Sequence, residues 1–598
     1  MKLRIAAVCW FVSIGIGVAQ VTHYLDCGRP SGGDSLRPET AWVSVEQANA
    51  VEFQPGDKLL LRRGSRCEGT LAPKGSGTQY AQILIGAYGE GPLPLIDGEK
   101  RRSGLELNDQ QYWDIENLEI LGGDLYGVHI GADRVSIRHL QMRNLVIHRV
   151  SGEPKSKESG LLVVAPANDS TATINDVLVD GVTAYDTTQW AGIIIAGASY
   201  NEQKHRYGDE ITIRNSIVHD VAGDGILLAS ARHGLIEHNV TWNTGMQETE
   251  TIGTPNAIWE WMCLECRVAW NEGFFSDSPG VDGGVFDIDY GNVNNVVEHN
   301  FAHNSQGYCA AIFGAEGQAG DSIHSIVNEN TCLHNGRSPR LARRQGAIFI
   351  NTWHRGRLNG IEVTRNTILW EPPLDAPAIH AQAEFFGDLP NRIHENRILL
   401  AAGSAVESSP SIEVDGNHVC VQRQRFAKEA DSPTDFCTCW STWRNEMTKE
   451  EEGAFQLDAK LASVGRGWRL ATTVASDGAH EEDHDNDRAR VVLLESMMQQ
   501  FGRLGIGGVL WPRTALSPDE IAQLRTDWHL SSRMEIASFG TRDARLSAES
   551  AVFLLSPDNE IVARWQAPAD AAHVWLELEQ RLGTPAGMQP ASSCSSKQ

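Results

Sequence analysis

An asparagine returns at nearly regular intervals through the middle of the chain. It stands at Asn215, Asn239, Asn271, Asn300, Asn330, Asn366, Asn396 and Asn417, each directly after a short β-type run such as Leu235-Ile-Glu-His-Asn239 or Val296-Val-Glu-His-Asn300. The intervals run from 21 to 36 residues, the range of stacked repeat architectures. One such unit is too small to bury a face alone. Stacking unit on unit gives a continuous core and leaves one polar residue per turn to form a ladder. Differences in interval map to loops, which in solenoids crowd one binding face.

A second strand in each unit carries the core. Examples are Gly192-Ile-Ile-Ile, Gly225-Ile-Leu-Leu, Ala257-Ile-Trp-Glu-Trp, Gly284-Val-Phe-Asp-Ile-Asp and Gly346-Ala-Ile-Phe-Ile. Parallel strands buried by their neighbours read as apolar runs, so polar intruders stand out.

Charge narrows the partners. The 598-residue chain has 77 acidic and 51 basic residues, a formal charge of −26. That disfavours nucleic acid, which needs basic patches, and an anionic membrane surface. It leaves a polysaccharide open, since a local basic loop outvotes net charge. Lys2 and Arg4 precede an apolar stretch from Ile5 to Ala19, so residues 1–20 read as a signal peptide and place the protein in a secreted or periplasmic setting. No second segment is expected to insert in a membrane.

Export makes disulfides permissible without fixing connectivity. Cys27 and Cys67 flank the start of the mature chain, Cys309 and Cys332 lie about one turn apart, and Cys420, Cys437 and Cys439 cluster near the end of the repeats. Cys263-Leu-Glu-Cys266 is a CxxC without a second CxxC or paired His to complete a zinc site, and reads as structural. No metal ligand is assigned.

The entry segment carries a family resemblance. Pro55-Gly-Asp57, a strand ending in Arg63-Gly64, Gly75-Ser-Gly-Thr78 and Ala87-Tyr-Gly89 resemble the opening of secreted right-handed parallel β-helix proteins of the pectate-lyase-like superfamily. The resemblance implies an all-β right-handed parallel β-helix. Residues 21–110 form its cap and first turns, and 111–475 the remainder. It is weak for substrate, because one fold hosts many functions. The motifs of β-helix polygalacturonases and of the commonest calcium pectate lyases are absent. The strand around Asp287 looks more like β-helix proteins grouped with α-L-fucosidase and xylanase glycosidases.

Residues 476–488 are acidic and aperiodic, and read as a linker. From 489 to 583 the pattern becomes helix, strand, helix, strand, hairpin, helix. This resembles the second half of a thioredoxin-like α/β domain. No CxxC lies in it, and Ser550 stands where that family has its cis-proline, so redox activity is not expected. Residues 584–598 are Ser-rich and read as a disordered tail.

The sharpest chemical feature is Asp282-Gly-Gly-Val-Phe-Asp287-Ile-Asp289-Tyr290. With Phe286 and Ile288 pointing inward, Asp287 and Asp289 point outward together, roughly 7 Å apart by twice the strand rise. Aligning Ile258-Trp-Glu-Trp261 with Val285-Phe-Asp-Ile288 places Glu260 beside Asp287 at about one strand spacing, with Trp259 and Trp261 inward. Asp224 sits at a turn and carries less weight. Two chemistries use such a cluster. A glycosidase keeps one carboxyl protonated as general acid while another serves as base or nucleophile. A calcium-dependent uronate lyase holds the metal with the same acids and takes an arginine of the basic loop 337–344 as base. The expectation is a polysaccharide-cleaving enzyme working by carboxylate acid/base hydrolysis, with Asp287 and Glu260 as the pair and Asp289 tuning them. It needs no cofactor, or Ca2+ if it is a lyase. A non-catalytic carbohydrate-binding scaffold is the third alternative. Asp282, His303, Arg343, Arg344 and Trp353 are expected to contact substrate. Trp242 and Trp370 are further stacking candidates.

Overall fold

The computed structural model describes residues 20–153, 159–199, 206–246, 254–337, 345–371, 376–401, 403–421, 436–447, 467–474, 481–513, 516–537, 551–557, 561–566 and 568–588. The expected signal peptide, Arg343, Arg344 and Ser550 lie outside them. The repeats form a parallel β-helix. One face is an eleven-stranded parallel sheet from Ser103–Asn108 to Val406–Ser408. Each later turn adds two more strands, for example Arg267–Ala269 and Glu272–Phe274, which pair in parallel with Val296–Glu298 and Phe301–His303 of the next turn.

The corner between those two strands carries the asparagines. From Asn239 to Asn396, each ladder asparagine donates its backbone N–H and its Nδ2 to the Oδ1 of the next, ending at Asn417, at 2.9–3.0 Å. Nδ2 also reaches a backbone carbonyl, as Asn300 does to Val268 at 2.9 Å. The residue before each asparagine turns the corner in the left-handed region: His238, Trp270, His299, Glu329, Arg365 and Glu395 all have φ of 53–60°.

Asn215 is not a rung. The pairing of Ile213 with Ile236 sets Ser216, not Asn215, opposite Asn239. The backbone N–H of Ser216 donates to the Asn239 Oδ1 at 2.9 Å, while Asn215 donates to Asp180.

Disulfides join Cys27 to Cys67, Cys309 to Cys332 and Cys420 to Cys439. The last ties the final turn to a helix at Phe436–Met447.

The C-terminal unit begins earlier than the composition suggests. Strand Arg469–Val474 is central in a five-stranded mixed sheet, not a last turn of the β-helix. It pairs in parallel with Gly507–Pro512 and antiparallel with Ala551–Leu555. Glu481–Phe501 is one helix, so most of the expected linker is helical. Asp487 is buried against Arg490 and Arg513. Within the expected tail, Thr584–Met588 are placed. Thr584 donates to Glu579, and Met588 packs beside the cluster of Val240, Trp242 and Phe274.

The unit lies on the face that carries Phe301, Leu333, Leu369 and Leu399, which share one apolar cluster with Met497, Phe501 and Trp575. Ser496 and Gln500 donate to the buried Glu272 at 2.6 and 2.7 Å. Among the described residues no helix is long and apolar enough to cross a membrane.

The ladder predicts unequal costs for equal substitutions. Asn300→Ala leaves the backbone N–H of Asn271 without its acceptor and removes the Asn300 Nδ2 bond to the Val268 carbonyl, and is expected to cost about 2–4 kcal/mol. Asn215→Ala removes one bond outside the ladder and is expected to cost about 1 kcal/mol. Denaturation midpoints of the two variants check this ordering.

Candidate functional site

The site stands on the outer surface of the eleven-stranded sheet, and its layout follows from register. Strand Ile258–Trp261 pairs with Phe286–Ile288 as Ile258 to Phe286, Trp259 to Asp287 and Glu260 to Ile288. This is one residue away from the alignment expected from sequence. A one-residue slip turns every side chain to the opposite face. The inward column is Ile193, Ile226, Ile258, Phe286, Ala310 and Ile348, and its bulk fixes the frame.

Two expectations are therefore corrected. Trp259 and Trp261 point outward, where they join Tyr126, Trp190 and Leu227 in an apolar patch. Glu260 points inward and is fully buried in the column of Leu228, Ile288, Ile312 and Ile350. Burial, reinforced by the Cys266 thiolate and opposed by Asn295, pushes its carboxyl well above the ordinary range. Glu260 does not reach the outer face and cannot pair with Asp287 on a substrate.

Asp287 and Asp289 do share the outer face with Asp282. Asn256, which sequence reasoning missed, is the hub that links Asp287 to Asp224 and, through Tyr308, to Asp282. Its backbone N–H donates to Asp224 at 2.7 Å, and its Nδ2 donates to Asp287 Oδ2 at 2.9 Å. Its Oδ1 accepts from the Gly284 N–H at 3.1 Å and the Tyr308 hydroxyl at 2.8 Å. Tyr308 lies 3.4 Å from Asp282 Oδ1, within reach of its hydroxyl proton. Gly284 is required here, because a Cβ would fall 2.0 Å from the Tyr308 ring. Asp224 thus belongs to the network after all. The signal available in sequence was the Gly283-Gly284 pair just before a bulky strand, which marks a close approach.

Electrostatics separates the three acids. Asp287 is almost completely buried. That burial, then the charges of Asp289 and Asp282, hold its carboxyl well above the ordinary value. Asp282 keeps an edge at the surface, and its enclosure raises it to about 6 against bonds from Thr254 and Tyr308. Asp289 is half-buried and accepts the Tyr290 N–H at 2.8 Å. Tyr308 is pushed well above 10 by burial and by all three acids, so it stays a donor. The Oδ1 of Asp287 and the Nε1 of Trp259 are buried without a hydrogen-bond partner among the described residues.

Aromatic rings flank the acids. Tyr290 meets Trp261 edge-on at 5.6 Å and Trp353 at 6.1 Å, so Trp353 stands on the expected side. His303 does not. It is fully buried on a different face, 3.1 Å from Glu272 and against Trp575, where it serves the domain junction. Trp370 is also buried, with its Nε1 on the Ala376 carbonyl, and Trp242 stacks between His219 and Phe274. Arg337 donates to Asn304 Oδ1 at 3.5 Å. A separate open cavity of about 670 Å3 lies where the Trp270–His299 corner meets Trp565 and His573 of the C-terminal unit, and none of the clustered acids lines it.

No family model matches this chain, and no curated protein matches it in sequence. Solved structures do. A selenomethionine derivative of the GH136 lacto-N-biosidase from Eubacterium ramulus aligns with TM-score 0.50 and 20% identity, covering 67% of this chain and 68% of that one. The native form gives 0.50 and 19%, with the same coverage. The A-module of an Azotobacter vinelandii mannuronan C-5 epimerase gives 0.38 and 13%, covering 63% and 93%. At these identities the likeness is one of fold.

The pH dependence of Asp282 is predictable in sign. A carboxyl raised in the folded state adds stability at low pH, lost as pH rises from its ordinary value through the folded one. Relative to Asp282→Asn, the wild type is expected to lose stability between about pH 4 and pH 6. In Tyr308→Phe that loss should extend to higher pH, because a bond lowering the Asp282 pKa is gone. Denaturation midpoints across pH 4–8 check both shifts.

Proposed function

We propose that this protein is a carbohydrate-active enzyme that hydrolyses glycosidic bonds on the outer face of its eleven-stranded sheet. The observation that carries the reading is the convergence of Asp282 and Asp287 on one hydrogen-bonded network, with Asp289 on the same face, beside Trp259, Trp261, Tyr290 and Trp353. Aromatic faces suit sugar rings, and carboxyls with separated protonation preferences suit acid/base hydrolysis.

The roles follow from environment. Asp282, raised to about 6, is protonated at mildly acidic pH and reaches the surface, so it is the general acid that protonates the leaving oxygen. Asp289, the half-buried acid on the same face, serves as the nucleophile or as the base that activates water. Asp287 is held by Asn256 and kept neutral by burial, so it donates or positions rather than attacks. Glu260, expected from sequence as half of the pair, is not part of this site.

The calcium-lyase alternative is less well supported. One oxygen of Asp287 already accepts from Asn256, and Arg337, the described arginine of its basic loop, bonds to Asn304. A binding scaffold would need no proton-holding acid. The substrate is a neutral or acidic oligosaccharide, and export to the periplasm or beyond fits it. The panel that tests it should include lacto-N-biose-containing glycans, given the activity named for the Eubacterium ramulus protein. The C-terminal unit, read as thioredoxin-like in pattern, is proposed to be a redox-silent buttress.

The test reads reducing ends and unsaturated-product absorbance in parallel, with calcium or chelator. New reducing ends without unsaturated product, and without any requirement for added calcium, are expected. Asp282→Asn and Asp289→Asn should each lower kcat/KM by about 10²–10⁴-fold. Asp282→Asn should lose least on aryl glycosides with good leaving groups, which need no acid. Asp287→Asn should fall between these variants and wild type. Unsaturated product that needs calcium would establish the lyase instead.

A further inference from the structure

Directly beneath the acids, inside the β-helix, lies a second cluster that the hydrolase reading does not use. Glu260, Cys263 and Cys266 bring one carboxylate oxygen and two sulfurs within 4.8 Å of one another, all fully buried. Both oxygens of Glu260 are buried with no hydrogen bond of ordinary geometry among the described residues, only the approach of the Asn295 side chain. The strands above and below place Leu228 and Ile288 in the same column. A leucine there would pack at no polar cost, whereas an unpaired buried carboxyl is expensive, neutral or charged. Both cysteines are free thiols.

The surroundings are built around the sulfurs. Gly234 leaves the space that Cys266 fills, since a Cβ there would fall 2.8 Å from its Sγ, and the Gly234 N–H donates to that sulfur at 3.2 Å. The backbone N–H groups of Cys263 and Cys266 donate to the Oδ1 atoms of Asn292 and Asn295 at 2.7 and 3.0 Å. Those amides fix the turn from the following rung. Outer partners of this kind orient the ligands of a metal site.

We propose that Glu260, Cys263 and Cys266 bind a zinc-class divalent cation inside the β-helix. Two thiolates and a carboxylate form a borderline-soft donor set suited to zinc, whose tetrahedral shell takes water or a carbonyl as its fourth member. Binding releases the two thiol protons and the Glu260 carboxyl proton, and the cation offsets two of the three negative charges so formed. Its place in the fold gives it a task. The Glu260 carbonyl accepts the Asp289 N–H at 3.0 Å, and Trp259 and Trp261 flank Glu260 on its strand. The cation would staple the floor on which the acids stand. The inference does not depend on which reaction those acids perform.

The test uses the full chain, produced with zinc or cadmium and dialysed. Elemental analysis is expected to give about one metal per chain, and the cadmium form a thiolate-to-metal charge-transfer band in the ultraviolet. Zinc should protect both thiols of the native chain from alkylation. Cys263→Ser should abolish the band. Glu260→Gln should keep a weaker band and bind at least tenfold more weakly. If Cys263→Ser does not fold, the wild-type measurements still decide. A Cys263–Cys266 disulfide in the native chain, or free thiols that zinc does not protect and cadmium does not colour, would overturn the proposal.

Discussion

In-register stacking at one strand spacing is the constraint on which the rest depends. Each side chain inherits its direction from the residue below it, so a single column of isoleucines sets the facing of a whole sheet. Ile193, Ile226 and Ile258 determine that Phe286 is inside, and therefore that Asp287 is outside. The asparagine ladder enforces the same spacing at a corner. Its members pair backbone and side chain to the next rung, so that no buried amide in it is left without a partner. Buried polar networks of this sort reward completeness and punish any gap.

The site uses the stack as a rigid easel. Acids crowded on one turn would repel one another in the absence of an intermediary from the turns on either side. Asn256 and Tyr308 supply it, one donating to Asp287 and the other lying within reach of Asp282. The Gly284 vacancy lets the Tyr308 ring cross the strand. The C-terminal unit covers another face, burying Glu272 and His303, which removes those polar groups from consideration as catalytic.

Much of this was legible in the sequence. The ladder from Asn239 onward and the strand bearing Asp287 and Asp289 follow from period and alternation, whereas the Cys27–Cys67 pairing, left open by spacing, is settled by the fold. Asn215 was not, because a neighbouring serine takes its rung and spacing alone cannot distinguish adjacent polar residues. Glu260 was misplaced for a related reason. Trp259 and Trp261 are as apolar as Ile258, so alternation did not reveal which set faced inward, and only the stacked column decides it. Asn256 and Tyr308 carried no local signature, since a hub joining consecutive turns exists only once the turns are aligned. The stretch around Asp487 looked like solvated linker because the arginines that pair with Asp487, Arg490 and Arg513, lie beyond it in the chain.

The most direct test of the account is a crystal structure of the full chain with a bound oligosaccharide. The sugar should lie across Asp282–Tyr290 and stack on the outward tryptophans. Asp282 should fall within hydrogen-bond reach of a glycosidic oxygen, roughly 2.6–3.2 Å, and Glu260 should stay in the core. A sugar seated instead in the cavity between Trp270 and Trp565, or against a strand register that turns Glu260 outward beside Asp287, would contradict it.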